Sequence, residues 1–265
     1  MGAKTIGIIS LKGGVGKTTT VVNLGAVLSN EFSKKVLIVD ANLSAPNLGL
    51  HVGIINPQRT LHDVLNDKID ITQSIRSHEL GFDIIPASLT PKVTSPMKLK
   101  NKLEKIKSKY DIILIDSSPT LNQEILTTMN ASDELLVVTG PDYPTLITTV
   151  QAVKSAKKKG AKISGIIVNK VKNKKHELNL NDIEDATGIP VLSVIPDQDF
   201  VSEALASCIP GAVYAPNKDF SIEYMKLAAA LIGETYEDKR ILSKIKGFFR
   251  PDLMRAEVNR MLFSK

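Results

Sequence analysis

Short runs rich in Ile, Val and Leu alternate along this chain with longer stretches in which apolar residues return every three or four positions. The first pattern reads as buried strands and the second as amphipathic helices, and their alternation is the signature of βαβ units around a parallel sheet. Strands are predicted at 5–10, 35–40, 81–86, 111–116, 134–139, 163–169 and 191–196. Several are apolar throughout, as in Ile112-Ile113-Leu114-Ile115 and Leu135-Leu136-Val137-Val138, which suits strands covered by helices on both faces. One of the intervening helices is expected over 97–109. There Leu99, Leu103, Ile106 and Tyr110 keep helical spacing among six lysines that read as a solvated face. The expectation is an α/β fold with a mostly parallel twisted sheet of about seven or eight strands and helices on both faces. One domain over residues 1–236 is followed by a tail over 237–265.

Composition agrees with a globular chain. With 265 residues, 43% of them hydrophobic and 23% charged, it can bury a sizeable core and is not of the disordered class. A lone Cys208 excludes a disulfide framework and any thiolate metal cluster built within one chain. No window approaches the roughly 20 apolar residues of a spanning helix. The apolar run in the opening MGAKTIGIIS is too short for a signal peptide, so a cytoplasmic location is expected.

The chemistry begins where the first strand runs into Leu11-Lys12-Gly13-Gly14-Val15-Gly16-Lys17-Thr18-Thr19-Thr20. Val21, Leu24, Gly25 and Leu28 then continue on a helical spacing. A glycine-rich turn between a strand and a helix gathers backbone N–H groups into a concavity and adds the positive end of the helix dipole, so it holds a phosphate chain. In such a loop Lys17 reaches the β- and γ-phosphates and the Thr18 hydroxyl ligates Mg²⁺. Asp116 closes the strand 111–116, where a carboxylate beside a phosphate loop is placed to hold the same ion through water. Asp40 ends the second predicted strand in the same way.

The usual phosphate-loop pattern requires a glycine where this chain has Leu11, and a lysine stands at Lys12 instead. KGGVGKTT is the deviant Walker A signature, and over residues 3–234 the chain resembles the MinD/ParA family of P-loop ATPases. That resemblance implies ATP and Mg²⁺ as ligands and an ATP-sandwich homodimer in which Lys12 touches the partner's nucleotide. It also implies that Asp40 opens the first switch, that Asn169 reads the adenine edge, and that the loop at Pro196 and Asp197 packs on the adenine ring. Here the chain departs from its relatives. The family's D-x-D pattern uses its second aspartate to position or polarise the attacking water, and this chain has Asn42. An amide orients water but accepts no proton, so the expected enzyme is a slow ATPase with a long-lived ATP state.

Net charge sharpens the choice of partner. The chain carries +6, and residues 238–265 hold eight lysines and arginines against three acids, so five of the six net charges lie in the tail. Within it Ile241, Leu242, Ile245, Phe248 and Phe249 share one helical arc, with cations outside it. This is the composition of a helix that lies in a membrane interface on anionic headgroups, and it resembles the membrane-targeting helix of MinD proteins. Residues 239–250 are therefore the expected membrane contact, at the inner face of the cell membrane, and 252–263 form a second helix without an assigned role. Three other readings remain. A ParA-type ATPase would bind DNA through Lys154–Lys162 and Lys170–Lys175, a scaffold would bind ATP with little or no hydrolysis, and a metabolic relative would phosphorylate or ligate a small molecule but have no use for the tail. Replacement of Asn42 by Asp is expected to raise ATP turnover, measured as steady-state phosphate release; an unchanged rate would remove the argument for slow hydrolysis.

Overall fold

A computed structural model of the chain describes residues 2–90, 95–238, 240 and 251–264, with side chains undescribed at 251–254. The seven expected strands are present as β1 (Lys4–Ile9), β2 (Val36–Ala41), β4 (Asp83–Ile85), β5 (Ile112–Ser117), β6 (Glu134–Thr139), β7 (Ile163–Val171) and β8 (Val191–Pro196). An eighth, β3 (Arg76–Ser77), pairs antiparallel with β4, and the sheet order is β3-β4-β2-β5-β1-β6-β7-β8. The two residues of β3 are polar and exposed, so no apolar run marks the strand. All other pairings are parallel. β2, β5 and β6, each with a run of four apolar residues, are buried along their whole length, as the helix-covered sheet requires.

β1 lies in the middle, with β5 on one side and β6 on the other, so the chain leaves the sheet centre at the point where strand order reverses. That crevice is where open α/β sheets bind ligands. α1 (Lys17–Asn30) rises from it with ten residues buried. Parallel pairing of β2 with β5 sets Asp40 directly beside Asp116. Other helices that bear on the site are α2 (Leu61–Leu65), α4 (Gln123–Ala131), α5 (Tyr143–Lys158), α8 (Gly211–Tyr214) and α9 (Asp219–Leu231).

The helix expected over 97–109 is a correction. α3 spans only Leu99–Glu104, between 3-10 turns at Pro96–Lys98 and Lys107–Lys109. Leu99, Leu103 and Ile106 are still buried, which is the source of the periodicity, but Ile106 reaches the core from a turn. The turn lets the Lys107 carbonyl accept from the Ala3 amide and stitch the segment to the start of β1. Its lysines are not merely solvated. Lys98 and Lys102 both pair with Asp67, and Lys107 pairs with Asp133.

Of the tail, the amphipathic segment 241–250 lies outside the described residues. The second expected helix is present as α10 (Pro251–Phe263), and it lies against β8 and α9. Pro251 at its first position suits a helix start. Asn259 Nδ2 donates to the Val191 carbonyl at 2.9 Å and Arg260 Nη1 to the Leu192 carbonyl at 2.8 Å, so α10 closes over the last strand of the sheet. Arg260 also pairs with Glu223 of α9 at 3.1 Å, and both side chains are buried. Arg255 pairs with Glu184, and Arg240 with Asp219 and Asp238. Glu223 keeps Lys226 and Ser193 as further partners, which softens the loss when the arginine is removed. Arg260→Ala is expected to lower stability by about 2 to 3 kcal/mol in urea unfolding, through the buried carboxylate it leaves behind.

Candidate functional site

The loop between β1 and α1 is a cradle of backbone groups. Gly14 and Gly16 adopt φ of +77° and +99°, conformations that a side chain strains. A Cβ on Gly16 would also lie 2.1 Å from the Asn169 amide nitrogen. Gly13 and Gly14 are exposed at the mouth, while Val15 and Lys17 are buried. Below the loop, Thr20 Oγ1 donates to the Gly16 carbonyl at 2.9 Å and lies 3.2 Å from the Tyr224 hydroxyl, and Asn23 accepts from the Ala212 amide at 2.7 Å. α1 is thereby tied to α8 and α9, which holds the loop's base rigid.

At the mouth of α1 the charges converge. Thr18 Oγ1 donates to Asp116 Oδ2 at 2.7 Å, and Asp40 accepts from the backbone N–H groups of Asn42 at 3.2 Å and Leu48 at 3.1 Å. Burial pushes the Asp116 carboxyl up to about 6, against the pull of the Thr18 hydroxyl and Lys17. Asp40 is raised well above the carboxylate range by burial and then by the charge of Asp116, although three backbone amides oppose the shift. Lys17 is lowered by burial, with Asp116 holding it partly up. Two buried carboxylates facing each other resist double ionisation, and a divalent cation relieves them. Asp116 Oδ1 has no hydrogen-bond partner although it is fully buried. An orphaned carboxylate oxygen beside a threonine hydroxyl is a hard-oxygen donor set, and it fits Mg²⁺ held by few protein ligands plus phosphate oxygens.

The remaining sequence candidates divide. Asn169, in the last third of β7, is buried, and its Nδ2 donates to the Val15 carbonyl at 2.8 Å, so it is joined to the loop rather than free in a turn. Pro196 ends β8 and Asp197 follows it, with the Asp197 amide on the Val171 carbonyl and its carboxylate 3.3 Å from Lys172. Lys12 is turned away from its own loop. Its Nζ donates to Thr145 Oγ1 at 2.8 Å and lies 3.4 Å from Asp142 Oδ1, at the start of α5. Burial opposes the charge on Asp142, yet the Thr145 hydroxyl and amide together with Lys12 hold its carboxyl below the usual range. Asn42 is buried beside Asp40, with Nδ2 on the Ala45 carbonyl at 2.5 Å. Neither Asp142 nor Thr145 is signalled by the phosphate-loop motif; the trace in the sequence is the helix start Asp142-Tyr143-Pro144-Thr145.

Comparison with known proteins shows the family. A family model described as an AAA domain matches residues 3–163. An uncharacterised ATP-binding protein of Methanocaldococcus jannaschii is 34% identical, with 93% of this chain and 97% of that protein covered. Among solved structures, the cell division ATPase MinD of Pyrococcus furiosus superposes with TM-score 0.79 and 32% identity over 86% of this chain and 97% of its own. The chain belongs to the MinD/ParA family of P-loop ATPases. A second MinD, from Pyrococcus horikoshii and solved with Mg-ADP, gives TM-score 0.79 and 31% identity over 92% of this chain and 98% of its own.

In this MinD/ParA chain the raised carboxyls set a pH dependence with a definite sign. A folded-state pKa of about 6 against an ordinary 3.8 means that the folded protein binds the proton more tightly than the unfolded one. The contribution is fully present below the ordinary value and is lost as pH rises through about 6. Asp116→Asn escapes that loss. Without nucleotide or metal, the variant is expected to melt higher than wild type above pH 6, with the gap closing toward pH 4, while nucleotide and Mg²⁺ no longer stabilise it; thermal melts across pH check both.

Proposed function

We propose that this chain is a MinD-type switch that binds Mg-ATP, dimerises in that state, hydrolyses slowly, and attaches to an anionic membrane to position a partner assembly. The observation that carries the reading is the group of buried Lys17, Asp40 and Asp116 with half-buried Thr18 beneath a glycine loop at the sheet's central crevice. In the proposed site, backbone N–H groups of residues 13–19 and the Lys17 ammonium bind the phosphates. Thr18 and Asp116 hold Mg²⁺ with Asp40 behind them, and Asn169, Pro196 and Asp197 receive the base. The metal supplies charge neutralisation on the phosphate oxygens. Lys12 would leave Asp142 and Thr145 to reach a second copy's nucleotide, which makes it the residue that couples ATP to dimerisation.

No helix among the described residues is long and apolar enough to cross a membrane, so attachment would be peripheral. One amphipathic segment binds an anionic surface weakly, at about 1 kcal/mol per nearby cation, and two in a dimer bind far more tightly because the second contact is intramolecular. Flotation with anionic liposomes tests the reading. Full-length protein is expected to float with ATP and not with ADP, a variant with Ile241, Phe248 and Phe249 replaced by Ser not to float, and Lys12→Ala to bind ATP yet remain monomeric. Protein that ignores liposomes but coats DNA in a salt-sensitive manner would instead support the ParA-type reading, through Lys154–Lys162 and Lys170–Lys175.

A further inference from the structure

Five buried side-chain polar atoms among the described residues lack a hydrogen-bond partner, and three of them are acceptors at the crevice end of the sheet: Asp116 Oδ1, Asn42 Oδ1 and Glu124 Oε2. The first belongs to the cation site above. The other two bear on a single turn, residues 42–45. Glu124, in the first turn of α4, accepts from the Ser44 hydroxyl through Oε1 and leaves Oε2 unpaired. Asn42 donates its Nδ2 to Ala45 and leaves Oδ1 unpaired. His62 braces the same turn from behind. Its Nδ1 accepts from the Ser88 amide at 3.0 Å, so the proton sits on Nε2 and is donated to the Leu43 carbonyl at 3.2 Å. Burial holds the imidazole below its usual pKa, against the pull of the Leu43 carbonyl.

A carboxylate nine-tenths buried with one oxygen free is costly unless a donor meets it. The N-terminus of α4 eases that cost: Asn122 caps the Glu124 amide at 3.0 Å, and the helix dipole favours an anion there. One orphaned acceptor thus lies on the turn and the other on the helix bonded to it, and water is the small donor that suits such oxygens. Hydrolysis also needs somewhere for the attacking water's proton to go. Asp40 is tied to backbone amides on both oxygens, Asp116 is committed to Thr18 and the cation, and Asn42 accepts no proton. Glu124 is the carboxylate that remains with a free oxygen.

We propose that Glu124 is a catalytic residue, the proton acceptor for the water that attacks the γ-phosphate, with Asn42 Oδ1 as that water's second acceptor. The water oxygen bonds to phosphorus while the phosphorus–oxygen bond to ADP breaks, and ADP leaves with the bonding pair. One proton of the water passes to Glu124 and returns to phosphate or solvent on release. The inference rests on the ATPase reading and goes beyond the residues that the phosphate-loop motifs mark.

Glu124→Gln keeps the shape and the Ser44 bond but accepts no proton, whereas Ser44→Ala removes the bond and keeps the carboxylate. The measurements are steady-state Mg-ATP hydrolysis, the ATP-to-ADP ratio recovered from protein incubated with Mg-ATP, affinity for a fluorescent ATP analogue, and melting temperature. E124Q is expected to hydrolyse about 10²-fold more slowly, to be recovered with ATP rather than ADP, and to keep its affinity and melting temperature. S44A, which keeps the carboxylate, is expected to lose far less turnover than E124Q and to be recovered with ADP, and the double variant N42D/E124Q to regain turnover because a carboxylate again faces the same water. Wild-type hydrolysis by E124Q overturns the proposal. So does an E124Q that melts early and is not rescued by N42D, since that outcome assigns Glu124 to folding alone. Wild-type protein that binds the analogue but hydrolyses nothing overturns the ATPase reading together with this one, which separates the two failures.

Discussion

The structure turns on a conflict set by strand register. Parallel pairing of β2 with β5 puts Asp40 beside Asp116, both fully buried, at the end of the sheet where the phosphate loop leaves β1. Nothing in a hydrophobic sheet favours two carboxylates there, and both are raised by the burial they share. Around them the fold arranges every cheap source of positive potential: the Lys17 ammonium, the Thr18 hydroxyl, the start of α1, and the amides of Asn42, Leu48 and Asn47. Those groups reduce the strain without removing it, and the residue of it is the affinity for a divalent cation carrying phosphates. A sheet with this end neutralised would be more stable and would have no reason to bind Mg-ATP.

Seen this way, the parts of the molecule that could be read from the chain are those where one local pattern decides the outcome. Seven strands follow from apolar runs, and the phosphate loop follows from glycines whose φ angles no other residue accepts easily. β3 was invisible because its two residues are polar and it exists only through pairing with β4. The helix expected at 97–109 fails for the opposite reason: its apolar spacing is genuine, but a backbone bond from Ala3 favours a turn at Lys107 over another helical residue. The same limit applies in the site. Lys17, Thr18 and Asp116 are linked by motif, whereas the partners of Lys12 lie some 130 residues away in sequence and are brought to it only by the β6 to α5 connection.

The tail illustrates how charge counted along a chain differs from charge available to a partner. Five of the six net charges lie beyond residue 237, which pointed to lipid. Arg240, Arg255 and Arg260 are nevertheless engaged with Asp219 and Asp238, Glu184 and Glu223. α10 uses its arginines to hold the last strand rather than to meet a surface. The tail's other five cations, Lys239, Lys244, Lys246, Arg250 and Lys265, lie outside the described residues, four of them in the stretch 239–250 whose apolar residues share one helical arc in the sequence.

Switch loops must be loose enough to respond to nucleotide and ordered enough to place a water, and here the order comes from outside the loop. His62 holds Leu43, Glu124 holds Ser44, and Asn42 closes the turn on Ala45. An aspartate at position 42 would lose the amide donor that closes the turn and add a third buried carboxylate within two residues of Asp40. Asparagine keeps the turn and avoids that repulsion, at the cost of a proton acceptor. The loss is tolerable only if another carboxylate faces the same turn from a rigid element, and α4, capped by Asn122 and packed against the sheet, is such an element. In the proposed mechanism the asparagine at 42 and the glutamate at 124 are thus two halves of one arrangement, with the base on the scaffold rather than on the switch.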